Sequence, residues 1–157
     1  MQATAHLSHL LLQLTVASAM ALVTVLIHLL GLALLVRVLS ISRAFAWRRT
    51  TPLAILLLAT IGVFTTHTIE IWLYAALYIV LTGSFDFETA LYFSTVTYAS
   101  VGYGDVLLPS NWRIVGAIEG ATGIIMLGWS TASLVSLLAQ LKLISHDWLT
   151  PDYPKAK

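Results

Sequence analysis

No cysteine occurs anywhere in the 157 residues, so disulfides, zinc-thiolate centres and thiol nucleophiles are excluded at the outset, and the redox compartment stays open. Charge is nearly as scarce. Lys and Arg number 8 against 7 Asp and Glu, a net charge of +1, which leaves no bulk attraction for nucleic acid and nothing to draw an acidic partner. No internal repeat, low-complexity segment or HExxH metalloprotease signature is present. What the chain does have is apolar surface: 59% of residues are hydrophobic and the mean hydropathy is +0.89, far outside the range of soluble domains. This is the composition of a membrane protein with room for one compact domain. Only His, Glu and Asp remain for ionisable chemistry.

Three apolar runs are long enough for a hydrocarbon core that takes about 20 helical residues. They extend roughly over 10–36, 52–81 and 114–144. Between the second and third lies "TGSFDFETALYFSTVTYASVGYGDVLLPSNWR". It is too polar and Gly-rich for a fourth span and too apolar for a plain loop, which predicts a re-entrant segment, a short helix followed by an extended strand. A signal-peptide reading of the first run is disfavoured. "MQATAHLSH" contains no Lys or Arg, and the run exceeds an ordinary signal core.

Basic residues set the expected orientation. Arg37, Arg43, Arg48 and Arg49 fall between the first two runs and Lys142, Lys155 and Lys157 after the third, leaving only Arg113 near the re-entrant segment. An outside N-terminus therefore puts the basic loop and the C-terminus in the cytoplasm, with Trp47 and Trp148 at the inner interface and Trp112 at the outer one. The arginines do not recur every third residue within an apolar helix, so they read as an anchor and not as gating charges. The thirteen residues after Ile144 are expected to be a short tail without a soluble regulatory domain.

The segment "SVGYGD", Ser100 to Asp105, interrupts an otherwise helical chain. Backbone carbonyls that face one way along an extended strand need alternating conformations, which glycine permits and other residues resist. Gly102 and Gly104 meet that need. Upstream, "DFETALYFSTVTYA" predicts a helix over 87–99, with Asp86 as N-cap and Glu88 in the first turn.

"TYASVGYGD" resembles the potassium-channel signature, and the resemblance extends over about the last two thirds of the chain. It implies an all-α membrane protein with three transmembrane helices, a re-entrant pore helix and a selectivity-filter loop, assembled as a fourfold-symmetric tetramer. Ser100, Val101, Gly102, Tyr103 and Gly104 would form the filter, with K+ held at Ser100, Val101, Gly102 and Tyr103 in place of its water shell. Val101 and Tyr103 would pack outward and fix the strand's diameter. Ser100 stands where threonine is usual; ether-à-go-go type channels also carry serine there. By the same resemblance Tyr92 is the aromatic residue that hydrogen-bonds the signature aspartate, here Asp105. "WRIVGAIEGATGIIMLGWSTASLVSLL" resembles the pore-lining helix of two-helix bacterial potassium channels, with Gly123 at the hinge and Gly128 a second small packing position. Ile124, Leu127 and Thr131 then share the cavity face. Gly116, Gly120 and Gly123 equally suit close helix packing.

The implied organisation is an extra helix and basic loop over 1–50, a pore domain over 51–144 and a tail over 145–157. The partners implied are three further copies of the chain, the bilayer and K+ as permeant ligand, with no cofactor and no nucleic acid, at a prokaryotic inner (plasma) membrane. The first helix is expected outside the pore module, with His28 a packing residue. Glu119, about 10 Å down its helix from Trp112, shares a stripe with Gly123, the stripe expected to face the pore helix, and is expected to brace the filter from behind. In several potassium channels a carboxylate on the pore helix does this, and by the resemblance the matching position here is apolar Val96. Glu70, roughly 20 Å from Gly83 along its helix, shares a face with His67 one turn away. That pair could bind metal or shuttle a proton, which keeps a membrane enzyme among the rivals. The others are a weakly selective cation channel and a channel-like potassium transporter subunit.

Overall fold

The computed structural model describes residues 2–45 and 52–141, and everything observed there is built from four helices. They are α1 (Gln2–Phe45), α2 (Pro52–Thr82), α3 (Phe87–Tyr98) and α4 (Arg113–Gln140). Long apolar stretches within α1 (His6–Ser40), α2 and α4 are each sufficient to cross a membrane. α3, at 12 residues, is too short to do so. The expected aromatic anchors Trp47 and Trp148, and Arg48, Arg49, Lys142, Lys155 and Lys157, lie outside the described residues.

Local chemistry sets the helix ends. Pro52 opens α2, where its missing N–H would have had no partner. Gly83, at φ +63°, closes α2 in the left-handed conformation and returns its N–H to the Ile79 carbonyl at 3.1 Å. Asp86 caps α3 as its sequence suggests, accepting the Thr89 N–H at 2.7 Å. Trp112 brings no side-chain cap to α4. Instead Gln13 Oε1 of α1 accepts the Ile114 N–H at 3.4 Å, so one helix finishes the end of another.

α1 packs on α2 and α4 of its own chain. Its buried residues Gln13, Ala17, Thr24, His28 and Leu39 form one stripe, and close approach is allowed at Gly31 and Gly62. A β-carbon at Gly31 would sit 2.5 Å from Thr66 Oγ1, and one at Gly62 would sit 2.7 Å from Leu35 Cδ1. Toward the other end of α2 the core joins all four helices, with Tyr74, Ala75 and Tyr78 of α2 against Ala17 of α1, Ala90 and Phe93 of α3 and Val115 of α4. The Tyr78 and Phe93 rings meet edge-to-face at 5.1 Å. Large hydrophobic residues on the outer faces of α1, α2 and α4 stay exposed, as lipid-facing helices require. α3 is thereby wedged between α2 and α4, and its C-terminus delivers the glycine-rich segment.

Candidate functional site

α3 ends where its last carbonyls are taken by the segment that follows. Ser100 N–H donates to Thr97 O at 2.8 Å, while Val101 and Gly102 N–H both donate to Val96 O, at 2.8 and 3.2 Å. From there φ alternates in sign. Ser100 (+55°), Gly102 (+54°) and Gly104 (+79°) lie in the left-handed region, and Val101 and Tyr103 between them do not. Ser100 is the one non-glycine residue with positive φ among the described residues, a conformation that costs an L-residue about 1–2 kcal/mol. Its hydroxyl donates to the Gly120 carbonyl at 3.2 Å, which ties the start of the segment to α4.

Val101 and Tyr103 are 52% and 72% exposed. The outward packing expected of them is not made within the chain. Beyond them, Tyr92 Oη of α3 donates to Asp105 Oδ2 at 2.6 Å, and Asp105 Oδ1 accepts the Val106 N–H at 3.0 Å. The tyrosine hydrogen bond holds the Asp105 carboxyl below the usual aspartate range, and the same bond pushes the Tyr92 phenol up.

α4 supports the segment from behind along one stripe. A β-carbon at Gly116 would meet Leu108 Cδ1 at 3.1 Å and one at Gly120 would meet Thr97 O at 3.2 Å. At Gly123 it would overlap the Tyr98 carbonyl oxygen outright. Close packing is therefore what Gly123 provides here, whereas Gly128 has open space around it. Glu119 lies fully buried on this side of α4. Its carboxylate accepts Ser94 Oγ of α3 at 2.6 Å and Tyr78 Oη of α2 at 2.5 Å. Ser94 Oγ also lies 2.9 Å from the Ile71 carbonyl. Glu119 thus joins three helices and holds α3 without touching residues 100–105. Ile124, Leu127 and Thr131 are exposed on α4 away from these contacts; the Thr131 hydroxyl is spent on the Leu127 carbonyl at 2.8 Å.

A second polar cluster lies deeper. His28 Nδ1 of α1 is 3.0 Å from Glu70 Oε1, His67 Nδ1 of α2 is 3.0 Å from Glu70 Oε2, and Tyr98 Oη of α3 donates to Glu70 Oε2 at 2.5 Å. Ser130 Oγ of α4 lies 3.0 Å from His67 Nε2 and 3.4 Å from His28 Nε2. His28, expected only to pack, is bonded to the Glu70 carboxylate. Sequence reasoning missed Ser94, Tyr78, Tyr98 and Ser130 altogether. A signal was available: a carboxylate buried in an apolar helix must find donors, and these hydroxyls sit on the helices facing Glu70 and Glu119.

Three membrane-length helices around a short, non-spanning one that ends in an alternately wound segment define an all-helical, multi-pass membrane protein. Residues 53–140, more than half of the chain, match the family model described as ion channel, and the chain belongs to that family. The match runs from the second residue of α2 to the last of α4 and leaves α1 outside it. No curated protein and no solved structure matches the chain.

Proposed function

We propose that four copies of the chain form a potassium-selective channel, with residues 100–104 of each lining a single axial filter. The observation that carries this reading is the sign alternation of φ at Ser100, Gly102 and Gly104 around non-glycine residues. A strand wound in that way can turn successive carbonyls toward one side, where four strands together replace a cation's hydration shell. Conduction is then passive, with K+ exchanging water for carbonyl oxygens. It needs neither a cofactor nor a reaction step.

One chain has one such segment, so a closed ring needs symmetric copies. The exposure of Val101 and Tyr103 supports the same conclusion, since side chains of that size would find their packing against neighbouring copies. Tyr92 and Asp105 clamp the outer end of the filter, and Ser100 with Gly120 fixes the inner end. Ile124, Leu127 and Thr131 of α4 face the water-filled cavity below. The basic-residue count supports an N-terminus outside and a C-terminus in the cytoplasm.

Purified protein in detergent should have a protein mass of four times the 17.1 kDa chain. In K+-loaded liposomes it should release K+, and Ba2+, of similar radius, should block that release. A monomer or dimer, or Na+ flux as fast as K+ flux, would refute the reading.

A further inference from the structure

We propose that His28, His67 and Glu70, with Tyr98 at the fourth corner, form a binding site for a divalent transition metal, Zn2+ above all, which staples α1 to the base of the glycine-rich segment. The inference does not depend on potassium selectivity.

The donor set comes first. Both imidazole Nδ1 atoms converge on one carboxylate, and the three residues' ligand atoms all lie within 4.8 Å of one another. Two histidines and a glutamate form a recurrent zinc set, and a tetrahedron with bonds of about 2.0–2.1 Å separates its ligands by about 3.3 Å. Here His28 Nδ1 and Glu70 Oε1 are 3.0 Å apart, His67 Nδ1 and Glu70 Oε2 3.0 Å, and His67 Nδ1 and Tyr98 Oη 3.1 Å. Those three gaps open by about 0.2–0.3 Å to admit the ion, and the tightest pair, Tyr98 Oη and Glu70 Oε2 at 2.5 Å, opens by about 0.8 Å.

Proton positions also accommodate the metal. If both Nδ1 atoms donate to Glu70, both Nε2 atoms are bare acceptors, and the donor facing them is Ser130, whose hydroxyl has a single hydrogen. That arrangement leaves one imidazole nitrogen without a partner, so the metal-free cluster instead takes His67 as the Nε2–H tautomer, donating to Ser130 Oγ while its Nδ1 accepts from the Tyr98 hydroxyl 3.1 Å away. With metal on both Nδ1 atoms, both Nε2–H groups point at Ser130 Oγ, which has two lone pairs to receive them. This is the outer-shell arrangement that orients metal-binding histidines elsewhere. Charge also closes. The ion's two positive charges meet the Glu70 carboxylate and a Tyr98 phenolate, so binding releases one proton, from Tyr98, and leaves the site neutral.

Placement gives the site its purpose. α1 lies outside the ion channel family match, so the contacts that hold it to α2 and α4 are not part of the matched segment alone. The four ligands come from α1, α2 and α3, and Ser130 from α4. Tyr98 stands two residues before Ser100, and its backbone abuts Gly123.

Because His28 and Glu70 are fully buried and His67 nearly so, the metal must enter as the chain folds. The test therefore expresses the full chain in medium supplemented with Zn2+ or Co2+, purifies it without chelator, and measures metal per chain by mass spectrometry. The expected result is one ion per chain and, for the cobalt form, the visible absorption of a tetrahedral centre. His28→Gln and His67→Gln should each abolish it. Ser130→Ala keeps every ligand and should weaken retention against a chelator 10- to 100-fold. If the histidine variants do not fold, X-ray absorption of the wild-type cobalt protein decides, through scattering from two imidazole rings. Metal-free wild type, metal retained in folded histidine variants, or a cobalt spectrum without two imidazoles would each overturn the proposal. Metal-free protein would assign the cluster to a bound proton instead.

Discussion

Replacing Gly123 with alanine should be far more damaging than the same change five residues later at Gly128. The added β-carbon at Gly123 would overlap the Tyr98 carbonyl oxygen and sit 2.9 Å from its carbonyl carbon and 3.1 Å from its Cα. These are backbone atoms of the last turn of α3, held by Tyr98 Oη on Glu70 and by the Ser100 N–H on Thr97, so they cannot swing aside as a side-chain tip would. Overpacking of a fixed site typically costs about 1–3 kcal/mol, and the rigidity of this neighbour puts the expected loss at the top of that range. Gly128→Ala meets nothing within 4 Å, and alanine's helix propensity should raise stability by up to about 1 kcal/mol. Gly120→Ala, at 3.2 Å from Thr97 O, belongs between them. Thermal unfolding of the three purified variants in detergent, followed by circular dichroism, gives the order directly. If Gly123→Ala melts with the wild type while channel opening changes, Gly123 acts as a hinge and the packing argument fails.

Glu119→Gln keeps one acceptor oxygen for Tyr78 and Ser94, whereas Glu119→Ala leaves the buried Tyr78 hydroxyl without an acceptor, at about 1–3 kcal/mol, and opens a cavity, while Ser94 keeps the Ile71 carbonyl. The alanine variant should therefore lose stability sharply and the glutamine variant little, and recordings of Glu119→Gln at external pH 4 to 8 should show altered open-state lifetime or pH response if the α3 brace governs the pore. The Asp105 carboxyl is held below its ordinary value by Tyr92. Its contribution is complete well above about pH 3.9, the unperturbed aspartate value, and is lost only as pH falls through the lower folded value. In Tyr92→Phe that loss should begin at higher pH, seen as an upward shift in the pH at which current disappears; an unchanged profile would remove Tyr92 from the clamp. Opening should depend weakly on voltage, because no span carries stacked arginines, and steep activation with several gating charges per channel would contradict this.

The order of helices was readable because each border has its own chemistry: Pro52 before α2, Asp86 before α3, and polar residues around Trp112 before α4. The alternating segment was readable at Gly102 and Gly104, which permit the positive φ that other residues resist, but not at Ser100, whose positive φ the sequence does not announce. Partnerships across helices were not. Glu119 was expected to brace the filter itself, but its partners are Ser94 and Tyr78, a choice that depends on how α2 and α3 rotate about their axes, which hydrophobic periodicity does not fix in a helix apolar on most faces. His28 was opaque for the same reason. α1 is apolar nearly throughout, so the stripe that faces α2 becomes apparent only once Gly31 and Gly62 bring the two backbones together.

The central claim is selective passage of K+ through a ring of carbonyls, and the most direct measurement is the reversal potential of the purified channel in a planar bilayer with K+ on one side and Na+ on the other. The account predicts a potential displaced far from zero, in the direction that opposes K+ flow. A reversal near zero, with currents carried equally by both ions, would contradict it.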